Sequence, residues 1–262
     1  MMPMLTPFAP RRTGMPRRPR RGIVLLPSII TVGNLFCGYA CVVYSMRGEL
    51  GVAAPFIGVA IILDMLDGRI ARFTETTSAF GVEFDSMADM VSFGLAPAVL
   101  TFVWGLSALG RVGWAAGFVY VSATAIRLAR FNLQTASQVD KRYFLGLPSP
   151  AAAGVIAATI FQFPHPITNY PAVLSAAVLV VGPAILMVSR LRFRSFKTIN
   201  FGRGPSYIPV LMFVLFVALI YSEPQWTLMI LAYGYMVSAF VGQVLSRVRA
   251  GRSGPPPAAS ES

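Results

Sequence analysis

Residues 64–89 read DMLDGRIARFTETTSAFGVEFDSMAD, and the rest of the chain is best read outward from them. Six of the ten acidic residues lie in this stretch, among them Asp64, Asp67, Asp85 and Asp89. Apolar runs flank it on both sides, which puts these carboxylates at the edge of a membrane. Ionisable groups beside hydrocarbon are expensive and by default mark a functional site. Grouped carboxylates are hard oxygen donors, so that site is first of all one that holds cations.

Of the 262 residues, 55% are hydrophobic and 12% charged, and the mean hydropathy is +0.65. That composition excludes a soluble domain. Several apolar runs approach the ~20 residues a helix needs to cross ~30 Å of hydrocarbon. The fold class is therefore all-α, a polytopic membrane helix bundle. The expected spans are Pro27–Met46, Val52–Ile70, Phe84–Leu106, Gly113–Asn132, Pro148–Phe163, Pro171–Ser189, Ile208–Tyr221 and Trp226–Leu245. They divide the chain into a basic arm (1–23), a membrane-embedded domain (24–246) that holds the aspartate stretch, and a Pro- and Ser-rich flexible tail (247–262).

The net charge of +12 is distributed for topology, with no compact basic module of the kind that binds nucleic acid. With the N-terminus inside, 20 of the 22 Lys and Arg residues fall on the cytoplasmic side, and only Arg47 and Arg111 fall outside. The positive-inside rule thus supports eight helices, cytoplasmic termini and a cytoplasmic aspartate stretch, in a cell (inner) membrane. The arm carries six arginines before Gly22 and has no cleavage signal after it. These arginines either attract anionic membrane lipids or serve only to set topology. Cys37 and Cys41, one helical turn apart, are small packing residues rather than a disulfide. His165, the sole histidine, falls in an outer loop far from the aspartates.

Asp64 and Asp67 are about 60° apart around a helix, and Asp85 and Asp89 about 40°. A cytoplasmic turn from Phe73 to Glu83 would fold the two helices antiparallel, so that four carboxylates face one groove. Bare, they would repel and take up protons. Two divalent cations would neutralise them, Mg²⁺ or Mn²⁺ with Ca²⁺ also admissible, since the donors are hard oxygens. Gly68 and Ala71 follow Asp64 along its face and leave room for a flat group. Arg72 has a planar fork suited to phosphate oxygens. Gly81, in the turn, allows close approach or a positive φ. Cations, an arginine and open space beside carboxylates point to a diphosphate substrate. Taken singly, the glycines and the alanine equally suit helix packing, and an aspartate pair alone would equally suit a cation transporter.

The spacing D-x2-D-G-x2-A-R-x8-G-x3-D-x3-D resembles the signature of the CDP-alcohol phosphotransferases, matched at Asp64, Asp67, Gly68, Ala71, Arg72, Gly81, Asp85 and Asp89. The runs LPSIITVGNLFCGY (26–39), DSMADMVSFGLAPA (85–98), RLARFN (127–132) and YFLGLPSPAAAG (143–154) resemble the bacterial and archaeal phosphatidylserine synthase branch of that family. The resemblance spans roughly residues 24 to 245. It departs at Ser28, where many relatives have Asn. It implies a six-helix catalytic core within the bundle, a homodimer, and CDP-diacylglycerol and L-serine as substrates. It further implies that Asp64, Asp67, Asp85 and Asp89 bind two metals and that Asp67, Gly68, Ala71, Arg72 and Gly81 hold the CDP moiety. Asp89 would be the catalytic base on the acceptor hydroxyl.

For the acceptor carboxylate the candidates are Arg127, Arg130, Lys141 and Arg142, with Asn34, Ser92 and Asn132 as polar partners. The same four bases also read as positive-inside anchors. Other acceptors, such as glycerol 3-phosphate or an inositol phosphate, would use the same chemistry. A phosphohistidine route needs two histidines and is disfavoured. A cation transporter would need polar residues running through to the outer face, and the outer halves of the spans are apolar.

Overall fold

A computed structural model describes residues 21–73, 78–136, 144–189, 192–193 and 207–252. Its helices are α1 (Arg21–Met46), α2 (Leu50–Phe73), α3 (Ala79–Asp89), α4 (Ala96–Trp104), α5 (Arg111–Ala136), α6 (Ser149–Gln162), α7 (Tyr170–Val188), α8 (Ile208–Ser222) and α9 (Pro224–Arg252). A π-turn, Met90–Leu95, joins α3 to α4 without a break, so among the described residues the nine α-helices form eight continuous helical stretches. Among the described residues five are both long and apolar enough to span a bilayer: Ser28–Met46, Leu50–Ile70, Phe80–Trp104, Arg111–Leu133 and Tyr170–Val188. The shorter apolar helices include Ser149–Gln162 and Val210–Ser222. The chain is a polytopic helical membrane protein. Among the described residues the only strands are β1 (Phe144–Leu145) and β2 (Arg192–Phe193), a two-residue antiparallel pair.

Small residues let the helices approach. Cys37, Ala40 and Cys41 of α1 and Ala53, Ala54 and Ala60 of α2 are buried. Both cysteines are free and serve as packing residues, as expected. The α1–α2 link is tight because Gly48 adopts φ 78° while its N–H reaches Ser45 O at 2.9 Å. That is a left-handed helix terminus, which favours glycine. Tyr120, Phe93, Ile57, Leu100 and Ile156 fill the core between α1, α2, α4, α5 and α6. Elsewhere large apolar side chains point outward, among them Phe36, Phe118, Val178 and Val210. Helices apolar on their outer faces suit hydrocarbon rather than water.

Several boundaries differ from expectation: α1 begins at Arg21 rather than Pro27, and α5 runs to Ala136 rather than Asn132. The Phe73–Glu83 turn is shorter, because α2 continues to Phe73 and α3 already begins at Ala79. Ser78 is the reason: its Oγ accepts the N–H of Gly81 at 2.9 Å, a serine N-cap that starts the helix early. At the other end of the chain, α9 continues past Leu245 to Arg252.

Candidate functional site

Asp64 and Asp67 occupy the last turns of α2, and Asp85 and Asp89 the middle and end of α3. Asp67 and Asp89 are buried; Asp64 and Asp85 are half-buried. One carboxylate oxygen each from Asp64, Asp67 and Asp85 lies within 4.8 Å of the others. Carboxylates gathered this closely repel unless protons or cations lie between them. Asp85 Oδ1 is buried and has no hydrogen-bond partner. Hard oxygens, mutual closeness and an orphaned buried acceptor all fit a divalent cation. Asp89, one turn further along α3, stands outside that triad but within electrostatic range of Asp64 and Asp85.

Helix α1 supports the carboxylates from behind. Thr31 Oγ1 donates to Asp67 Oδ2 at 3.1 Å, and Asn34 Nδ2 donates to Asp89 Oδ1 at 3.1 Å. Thr31 and Asn34, both buried, sit three residues apart and so share one face. On the other side Asn132 Nδ2 donates to Ser86 Oγ at 2.9 Å, tying α5 to α3 between Asp85 and Asp89.

The four candidate acceptor bases part company. Arg127 is half-buried, donates from Nη1 to Ser149 Oγ at 2.6 Å, and lies within electrostatic range of Asp89 and Asp64. Arg130 is exposed and donates to Val188 O at 2.9 Å, the last residue of α7. A cation on terminal carbonyls closes a helix C-terminus, and Arg130 does so for α7. Lys141 and Arg142 lie outside the described residues.

Gly68 is half-buried in α2, and Ala71 and Arg72 belong to its last turn. Gly81 departs from expectation. It lies in the first turn of α3, and among the described residues the positive-φ glycines are Gly48, Gly110 and Gly146. Closeness alone is its requirement: a Cβ there would sit 3.1 Å from Ser78 Oγ, the cap it donates to. His165 is exposed in the loop between α6 and α7, as expected.

Thr31 and Ser149 escaped the reading of the sequence. Thr31 had a signal, since it shares an apolar span with Asn34 at helical spacing. Ser149 reaches Arg127 because the segment before α6 is clamped on α7. Gly146 has φ 87°, a Cβ there would collide with Met187 O, and Leu147 N–H bonds Leu186 O at 3.2 Å.

The family described as CDP-alcohol phosphatidyltransferase matches residues 24–188. A CDP-diacylglycerol–serine O-phosphatidyltransferase of Helicobacter pylori (strain J99) is 32% identical over 234 residues, 88% of this chain and 96% of that protein. The protein of the same name from Mycobacterium leprae is 30% identical, covering 86% of this chain and 76% of its own length. An archaetidylserine synthase of Methanothermobacter thermautotrophicus is 32% identical over 65% of this chain and 70% of its own.

Proposed function

Because the chain belongs to the CDP-alcohol phosphatidyltransferase family, we propose that it transfers the phosphatidyl group of CDP-diacylglycerol to the hydroxyl of L-serine, giving phosphatidylserine and CMP. The observation that carries this reading is that Arg127, held on Ser149 Oγ, lies within electrostatic range of Asp89 and Asp64. It sets a fixed cation, suited to an amino acid's carboxylate, next to carboxylates suited to a cation-bound diphosphate. The serine transferases cited above match nearly the whole chain, which supports the same acceptor.

Asp64, Asp67 and Asp85, with Asp89, would hold two divalent cations, Mg²⁺ or Mn²⁺. Such ions neutralise the diphosphate and make CMP a better leaving group. The chain's own residues do the rest. Gly68, Ala71, Arg72 and Gly81, with Asp67, bind the CDP moiety. Arg127 binds the serine carboxylate and orients its hydroxyl toward Asp89. Asp89 accepts the hydroxyl proton as the serine oxygen forms its bond to the diacylglycerol-linked phosphorus. The bond from that phosphorus to the bridging oxygen breaks, and CMP leaves with the electron pair. A positioned base of this kind contributes about 10²–10⁴ in rate.

The site faces the cytoplasm of a cell membrane on this reading, supported by the basic loops on that side. The protein works as a homodimer, an inference from the family resemblance that light scattering in nanodiscs would test. The acceptor is tested with purified protein, CDP-diacylglycerol and radiolabelled serine, glycerol 3-phosphate, inositol phosphate or choline. Lipid product from serine is expected. Product from another alcohol with none from serine would refute the assignment.

A further inference from the structure

Asp89 is anchored by a relay that begins in an irregularity of its own helix. Immediately after Asp89 the backbone widens into the π-turn Met90–Leu95, in which Ser92, Phe93 and Gly94 are buried. π-turns inside α-helices gather at functional sites because they re-aim side chains that a regular helix would place elsewhere. Here Ser92 meets α1, and its Oγ donates to the backbone carbonyl of Asn34 at 2.9 Å. The approach is close because residue 38 is glycine: a Cβ there would lie 2.8 Å from the Ser92 Cα. Asn34, held in this way, gives its Nδ2 to Asp89 Oδ1.

The other half of that amide is informative. Asn34 is fully buried, and its Oδ1 has no hydrogen-bond partner. An unsatisfied buried acceptor costs about 1–3 kcal/mol, and such groups in native proteins call for an explanation. A carboxylate accepts only, so the amide keeps its donor on Asp89 and leaves Oδ1 unpaired. The fold tolerates that cost where the same amide meets Asp89 and nowhere else on α1 among the described residues.

We propose that Asn34 is a positioning residue for the transfer reaction: seated by Ser92 and Gly38, it pins one oxygen of Asp89 and turns the other toward the acceptor hydroxyl. This rests on the reading of Asp89 as the base. The relay passes from the π-turn to α1 and back to the residue just before the π-turn. It therefore couples the geometry of the base to the packing of two helices rather than to a loop.

The test uses the full chain in nanodiscs, with kcat and both KM values for wild type, Asn34→Ala, Ser92→Ala, the double variant and Asp89→Asn. Misplacing a reacting group by about 1 Å costs on the order of 100-fold. Asn34→Ala should therefore lower kcat about 100-fold with both KM values within threefold, and Ser92→Ala should lower it about tenfold. Because Ser92 acts through Asn34, the double variant should be no slower than Asn34→Ala. Multiplicative losses in the double variant, or a fall in kcat matched by equal rises in KM, would overturn the relay. Should Asn34→Ala fail to fold, Ser92→Ala alone, which removes one oxygen, must still show the kcat-only loss. Wild-type turnover in Asp89→Asn would sink the base assignment itself. An inactive Asp89→Asn with wild-type kcat in both relay variants would sink only the role given to Asn34.

Discussion

Replacing Arg127 by Gln separates acceptor binding from the rest of the site. The guanidinium makes a 2.6 Å bond to Ser149 Oγ and lies within electrostatic range of Asp89 and Asp64. Glutamine keeps a polar group of shorter reach but loses the charge that pairs with the serine carboxylate. A charge-assisted hydrogen bond is worth about 1.5–3 kcal/mol, and at 1.4 kcal/mol per decade the upper figure is a factor of about 150. The side chain is half-buried in a low-dielectric setting, so the loss should fall in the upper part of that range. Radiolabelled serine incorporation, run against serine at saturating CDP-diacylglycerol, should show kcat/KM for serine down about 100-fold. KM for CDP-diacylglycerol should move by no more than about threefold, since uniform binding of that substrate is untouched. Thermal unfolding of the same sample checks that the loss is not one of fold. An unchanged KM for serine together with a raised KM for the CDP-lipid would refute the reasoning and move Arg127 to the diphosphate.

Four further outcomes follow from the same geometry. Ser149→Ala removes the partner that aims Arg127 and should raise KM for serine about tenfold with kcat nearly unchanged, read in the same incorporation assay. Chelation by EDTA should abolish CMP release, and added Mg²⁺ or Mn²⁺ should restore it; Asp64→Asn should shift the metal concentration for half-activity upward. Thr31→Val deletes the donor to Asp67 and should cost about 1 kcal/mol, seen as a fivefold or so rise in that metal midpoint. Gly146→Ala forces a side chain into a left-handed conformation against Met187 O and should lower stability by about 1–2 kcal/mol or more, measured as a drop in melting temperature.

The helices and the acidic cluster could be read from the sequence because their signals are local. Span length and the alternation of basic loops depend only on neighbouring residues, and the aspartates repeat at helical spacing. What escaped depends on contacts between distant segments. The early start of α3 follows from one serine cap, and Gly81 therefore lies inside a helix instead of a turn. Arg127 and Arg130 sit three residues apart on one helix, yet one meets Ser149 near the aspartates and the other closes the end of α7. The π-turn has no sequence period of its own. Asn34 and Ser92 were recognisable as polar partners, but their link through the Asn34 carbonyl exists only once α1 packs on that turn. Tertiary packing, not propensity, decides such details.

CMP release and lipid product are followed together as L-serine is added to purified protein in nanodiscs containing CDP-diacylglycerol and Mg²⁺ or Mn²⁺. One phosphatidylserine should form for each CMP released, and both should disappear in Asp89→Asn. CMP release without serine-containing lipid, or lipid product that persists in Asp89→Asn, would contradict the account.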